Sequence, residues 1–221
     1  MTTQQPEQKI GFIEQVENFY AQYRNYILSI IGIIAIGVLY LFYQKSQNAK
    51  LETEAQEIII PAQNYFRIDS LNLALYGDGE NIGFVDIADE YGKTSTGNLA
   101  NYYAGICFLK LEQFEDAVDY LSDFSTSSHL VQANAYKALG NAYAELGETD
   151  KAKHNYILAT ETIDGKKYTP SFLRIAADYC RYIGDGEKAI ELYKKIKTYY
   201  PKSLEAQNID ALMQLSGDKA E

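Results

Sequence analysis

The sequence predicts an all-α protein: an N-terminal transmembrane helix followed by an α-solenoid of helix pairs. Three observations predict it. Asn25 to Gln44 is a run without a charged residue, bounded by Arg24 and Lys45. Downstream, small residues recur at a period of about 35, the length of one repeating helix pair. Turn signals and large apolar or aromatic residues recur in step with them.

The uncharged run, centred on LSIIGIIAIGVLYLF, matches the hydrocarbon core of a bilayer. A helix of about 20 residues rises about 30 Å, and all its interior amides are paired without water. Tyr20, Tyr23 and Tyr26 precede it and Tyr40 and Tyr43 close it, placing amphipathic rings at both interfaces. A cleaved signal peptide fits poorly. Glu7, Glu14 and Glu17 burden the leader, and Gln44 to Ala49 lacks small residues at cleavage spacing. Ser29, Gly32, Ala35 and Gly37 form no strict GxxxG face. Lys9 and Arg24 before the span balance Lys45 and Lys50 after it, so flanking charge leaves the orientation open.

The organisation expected along the chain is a tail over 1–24, the span over 25–44 and a helical stalk over 45–63. Pro61 either kinks the stalk or opens the next helix at its first turn. A degenerate repeat covers 64–97: a helix from Asn64 to Tyr76, a turn at Gly77-Asp78-Gly79, and a helix from Ile82 to Tyr91 with Gly83 as its small position. Three clear repeats follow at 98–132, 133–169 and 170–202. A capping helix and tail fill 203–221.

The clear repeats align YYAGICFLKLEQFEDAVDYL, YKALGNAYAELGETDKAKHNY and LRIAADYCRYIGDGEKAIELY. Gly105, Gly140 and Ala177 hold one small position; Ala117, Ala152 and Ala189 hold a second, where two antiparallel helices cross. Tyr103, Phe108 and Leu121, then Tyr136, Tyr143 and Tyr156, then Leu173, Tyr179 and Tyr193 flank the crossings. Leu146-Gly147-Glu148 and Ile183-Gly184-Asp185 mark the turns within pairs. Pro201 ends the third unit, and the apolar residues of Ser203–Leu215 suit a cap over the last open face.

Composition narrows the function. Residues 1–50 carry a net +1, so the remainder bears −11 of the chain's −10; nucleic acid and anionic headgroups are disfavoured as ligands. Two cysteines, Cys107 and Cys180, cannot make a disulfide framework. Stacking would hold their helices about 20 Å apart, too far to bridge, so both are expected to be small core residues. His129 and His154 join no ligand motif, and no catalytic or phosphate-loop string occurs. Asp78, Glu80 and Asp86 lack calcium-loop spacing and are expected to cap a turn and a helix start. The expectation is a non-enzyme with no cofactor, metal, nucleic-acid or small-molecule site.

The three aligned units resemble the tetratricopeptide repeat. That resemblance implies a superhelix whose concave face comes from the first helix of each pair. Its inner positions fall on Leu99, Tyr102, Ile106 and Leu109; on Asn134, Lys137, Asn141 and Ala144; and on Ser171, Arg174, Asp178 and Arg181. Of these, Leu99, Tyr102, Ile106, Leu109, Lys137, Asn141, Arg174 and Arg181 are the expected protein-binding residues. The alternative is that the irregular first repeat and the segment before Pro61 fold over Tyr102 and Ile106. Lys137 and Asn141 also resemble the start of the carboxylate clamp that holds chaperone tails, but Ile175 stands where its next Asn belongs.

With the tail, span and stalk included, the chain resembles the YfgM-like ancillary subunits of the Sec translocon. DSLNLALYGDGENIGF and GNLANYYAGICFLKLEQFEDAVDYL are similar to the Bacteroidetes version. The resemblance implies a cytoplasmic N-terminus and periplasmic repeats at the inner membrane. Implied partners are a SecYEG-type translocon, a PpiD-type peptidyl-prolyl isomerase and unfolded secretory clients. The alternative is a structural adaptor subunit of an envelope secretion or assembly complex that binds no client.

Overall fold

A computed structural model describes residues 11–163, 165 and 167–217. Residues 1–10 of the expected tail and 218–221 of the expected C-terminal tail lie outside the described residues. The chain divides into two units, Met1–Lys50 and Leu51–Glu221.

The first unit holds the beginning of α1 (Phe12–Arg67). No residue in the most apolar 18-residue window of this helix is buried. Ile33, Ile36, Leu39 and Phe42 are all largely exposed, as expected of a helix whose solvent is lipid rather than protein. Its polar side chains bond within the helix: Ser29 Oγ donates to the Asn25 carbonyl and Gln44 Nε2 to Tyr40 Oη, each at 2.8 Å. Local pairing of this kind lets a hydroxyl sit at membrane depth.

The second unit consists of helices and short connections, with no strand among its described residues. It contains the end of α1, then α2 (Leu71–Tyr76), α3 (Phe84–Tyr91), α4 (Ser95–Lys110), α5 (Phe114–Asp123) and α6 (His129–Glu145). There follow α7 (Thr149–Thr162), α8 (Thr169–Tyr182), α9 (Gly186–Tyr199), a 3-10 turn at Leu204–Ala206 and α10 (Ile209–Gly217). Helices α4/α5, α6/α7 and α8/α9 are the three expected pairs. α10 seats Ile209, Leu212 and Met213 on the core of the last pair.

The pairs form because small residues let their helices touch. A Cβ on Gly105 would lie 2.5 Å from Leu121 Cγ, and one on Gly140 would lie 2.8 Å from the Tyr156 ring. Ala117, Ala152, Ala177 and Ala189 are each completely buried. Cys107 and Cys180 are free and buried, as expected; burial pushes their thiols up to about 12 and about 11.

One corner geometry joins each pair. Its last N–H reaches back five residues: Gln113 to Phe108 O at 2.9 Å, Glu148 to Tyr143 O at 2.9 Å, and Asp185 to Cys180 O at 2.8 Å. This closure needs a left-handed residue just before that donor. Gly147 (φ 74°) and Gly184 (φ 86°) supply it freely, whereas Glu112 (φ 61°) does so against its Cβ.

The same corner ends α1. Ser70 N donates to Tyr65 O at 2.9 Å, and Asp69 is left-handed at φ 60°. This corrects the expected helix from Asn64 to Tyr76, which is broken at Ile68–Ser70. Pro61 neither ends α1 nor opens a helix; it sits inside α1. The expected stalk is therefore a packed helix, with Ala55, Ile59 and Ala62 buried against the cluster of Leu75, Phe84 and Ile87. Gly83 is not a crossing position either. It precedes α3, and its backbone lies against Leu75, where a Cβ would come within 2.1 Å of the carbonyl oxygen.

Two carboxylates hold the end of α1 to the repeats. Glu52 accepts from Thr96 N at 3.1 Å and Thr96 Oγ1 at 2.8 Å, satisfying an amide at the start of α4. Glu54 accepts from Tyr91 Oη at 2.9 Å. Burial alone would raise the Glu52 carboxyl, but the Thr96 and Gln56 hydrogen bonds together hold it below its ordinary 4.5.

These contacts have measurable consequences. Glu112→Gly should raise stability in urea unfolding by up to about 1 kcal/mol, the left-handed penalty less the entropy of a new glycine. Gly184→Ala should lose about the same amount. A depressed carboxylate stabilises fully above its unfolded value and loses that contribution as pH falls through the folded one. Stability should thus decline below about pH 4.5, and Glu52→Gln should flatten that decline in pH-dependent unfolding.

Candidate protein-binding surface

The expected inner-face residues lie on α4, α6 and α8, the first helices of the three pairs. On α4, Leu99, Tyr102, Ile106 and Leu109 are all half-buried. Tyr102, Ile106 and Leu109 pack against Leu121, Ala138 and Leu139, filling the seam between the first pair and the second. The Tyr102 ring lies 5.0 Å from Phe124, and burial raises its phenol above the ordinary value. Leu109 also packs against the cluster that includes Leu75, Phe84 and Ile87. Tyr102, Ile106 and Leu109 are seam residues with one edge in solvent.

Polar positions of the same face are held by neighbours. Asn141 Oδ1 accepts from Tyr156 Oη at 2.7 Å. At the equivalent place one repeat later, Asp178 Oδ1 accepts from Tyr193 Oη. Burial, chiefly, pushes both phenols up to about 12. In the first pair the equivalent residues are Ile106 and Leu121, which share one apolar cluster. An inner position on the first helix is thus matched in polarity to the residue fifteen places later on the second. Sequence reasoning missed this pairing, although the fixed separation, 106 with 121, 141 with 156 and 178 with 193, is a signal in the chain itself.

Lys137 donates to Asn134 Oδ1 at 3.1 Å, and its ammonium lies 5.8 Å from the centre of the Phe172 ring in the next pair. Arg174 donates from Nε to Asp178 Oδ2 at 2.8 Å and from Nη1 to the Glu205 carbonyl at 3.2 Å. It therefore ties the 3-10 turn to α8. Arg181 lies near Tyr193, whose phenol it helps to hold down, while its Nε is buried without a partner among the described residues. Asn141 is spent on Tyr156, and Ile175 is partly exposed without any amide to offer. Lys137 and Asn141 therefore lack the partner that a carboxylate clamp requires.

An open cleft of about 470 Å³ remains beside this face. Leu109, Lys110, Glu112, Phe114, Asn141 and Glu145 line it, at the corner between the first and second pairs. It contains two of the expected binding residues, Leu109 and Asn141. Asp78, read as a turn residue, is one: its Oδ1 accepts from Glu80 N at 2.9 Å and Asn81 N at 2.7 Å. Among the described residues no group of three or more His, Cys, Asp or Glu is placed to hold a metal ion.

Successive antiparallel pairs, one corner geometry and a terminal cap define a helix-pair solenoid, a class whose members are interaction scaffolds. The tetratricopeptide repeat family model matches residues 171–203, which comprise nearly all of α8, α9 and the turn after them. Among curated proteins, none matches the chain. The fold is all-α: a tetratricopeptide-type solenoid together with an N-terminal helix long and apolar enough to cross a membrane.

The polar pairing is testable by a double-mutant cycle. Asn141→Ala and Tyr156→Phe should each destabilise the protein, and the two should couple by about 0.5–1.5 kcal/mol, the net worth of one hydrogen bond. Additive losses would mean that the two side chains act separately.

Proposed function

We propose that this protein is a single-pass, membrane-anchored scaffold with chaperone-like character, working beside a SecYEG-type translocon. In this reading the N-terminus is cytoplasmic and the repeats are periplasmic, at the inner membrane. Their partners are translocon subunits, a PpiD-type isomerase and emerging secretory chains. The observation that carries the reading is the wholly unburied apolar window of α1, in a helix whose later turns are part of the repeat core. The resemblance over Tyr65–Phe124 supports the translocon setting, and the repeat match supports protein partners.

A second reading, an envelope adaptor that binds no client, draws support from Tyr102, Ile106 and Leu109. These side chains are largely consumed by packing between pairs, which leaves little apolar surface for an unfolded chain.

Photo-crosslinking separates the two. A photoreactive amino acid in place of Ile175, which is partly exposed on α8, should give adducts in native membranes with both translocon subunits and secretory precursors. Adducts with membrane subunits alone would establish the adaptor. Adducts confined to cytosolic proteins would reverse the orientation and refute the translocon assignment.

A further inference from the structure

A second surface, separate from the inner face, is built from the end of α1, the loop before α3 and α3 itself. Ile58, Pro61 and Ile82 form the apolar part of an open cleft of about 450 Å³, backed by Tyr91. Glu57, Glu80 and Glu90 stand around it, all three exposed. None of these carboxylates has a cationic partner among the described residues. An apolar floor inside an unneutralised acidic rim differs from a solvated charge cluster. It offers burial and charge complementarity at one place.

Two further features shape the cleft. Pro61 has no N–H, so the Glu57 carbonyl one turn earlier lacks its helical donor. Both residues line the cleft. The loop carrying Glu80 is also held in place. Asp78 accepts from the backbone of Glu80 and Asn81, and its other oxygen accepts from Tyr65 Oη at 2.7 Å. These bonds, the Asn81 N–H foremost, keep the Asp78 carboxyl well below the usual carboxylate range. The rim is therefore organised before any partner arrives, which reduces the ordering cost of binding.

We infer that this cleft docks a basic amphipathic segment of a partner protein. One aliphatic side chain sits on Ile58 and Ile82, while flanking Lys or Arg side chains meet Glu57, Glu80 and Glu90. Binding of this kind needs both halves of the ligand. Lysines alone bring charge without burial, and an aliphatic side chain alone finds only a small floor.

The test uses the full chain in zwitterionic phosphatidylcholine nanodiscs, with empty nanodiscs as the blank. The probes are synthetic peptides KKLIKKLIKK, QQLIQQLIQQ and KKGGKKGGKK, titrated by thermophoresis. The first should bind the wild-type protein and the other two at least about tenfold more weakly, because each lacks one half of the match. Changing Glu57, Glu80 and Glu90 together to Gln should weaken KKLIKKLIKK by about tenfold, the combined effect expected of three rim charges. All three side chains are exposed, so the variant should keep its circular dichroism and melting temperature. Equal binding of KKGGKKGGKK would reduce the cleft to a counterion surface and overturn the proposal. So would unchanged affinity in the triple Gln variant, or no binding of KKLIKKLIKK at all. The inner face takes no part here: substituting Ile175 should leave KKLIKKLIKK binding intact, so the outcome is independent of the client-binding reading.

Discussion

Close approach of paired helices is the constraint on which the rest of this structure depends. At Gly105 and Gly140 the facing side chains, Leu121 and Tyr156, occupy the space that a Cβ would fill. Ala117, Ala152, Ala177 and Ala189 serve the same crossings from positions with no exposed surface. Packing at interior density leaves no room for an added methyl unless a neighbour moves. Helices that meet so closely leave their outer residues to pack against the next pair. Tyr102, Ile106 and Leu109 then become the seam between pairs rather than a free surface.

The seam explains how the inner face divides its duties. Where the second helix presents Leu121, the first presents Ile106. Where it presents Tyr156 or Tyr193, the first presents Asn141 or Asp178 as the hydrogen-bond acceptor. A buried phenol without an acceptor would cost about 1–3 kcal/mol, so these positions are constrained before any partner is considered. Arg174 is likewise committed, holding the 3-10 turn through the Glu205 carbonyl. Open clefts remain at the corner between the first two pairs and beside Glu57, Glu80 and Glu90.

Much of this was legible in the chain. The small positions, their spacing and the apolar run each have one dominant physical cause, so reading them in order recovers the three pairs and the long apolar helix. The corners were legible only where glycine marks them. Gly147 and Gly184 signal the left-handed residue, but Asp69 and Glu112 adopt it without the signal, so the corner ending α1 stayed hidden. Pro61 pointed to a boundary because proline removes a helical hydrogen bond. Burial of Ala55, Ile59 and Ala62 on either side carries the helix through that loss. The inner-face residues were placed on the right helices. The partners of Ile106, Asn141 and Asp178 were not foreseen, since each lies fifteen residues away on a different helix.

The central claim is that van der Waals contact at the small positions sets the pair geometry. Equilibrium unfolding of Gly140→Ala tests it most directly, with Gly32→Ala as the control, since a Cβ at Gly32 meets nothing within 4 Å. Better intrinsic helix propensity alone would make both substitutions neutral or mildly stabilising. The close-contact account predicts instead that Gly140→Ala loses about 1–3 kcal/mol, the usual cost of overpacking, while Gly32→Ala loses nothing. Equal stability of the two variants would contradict it.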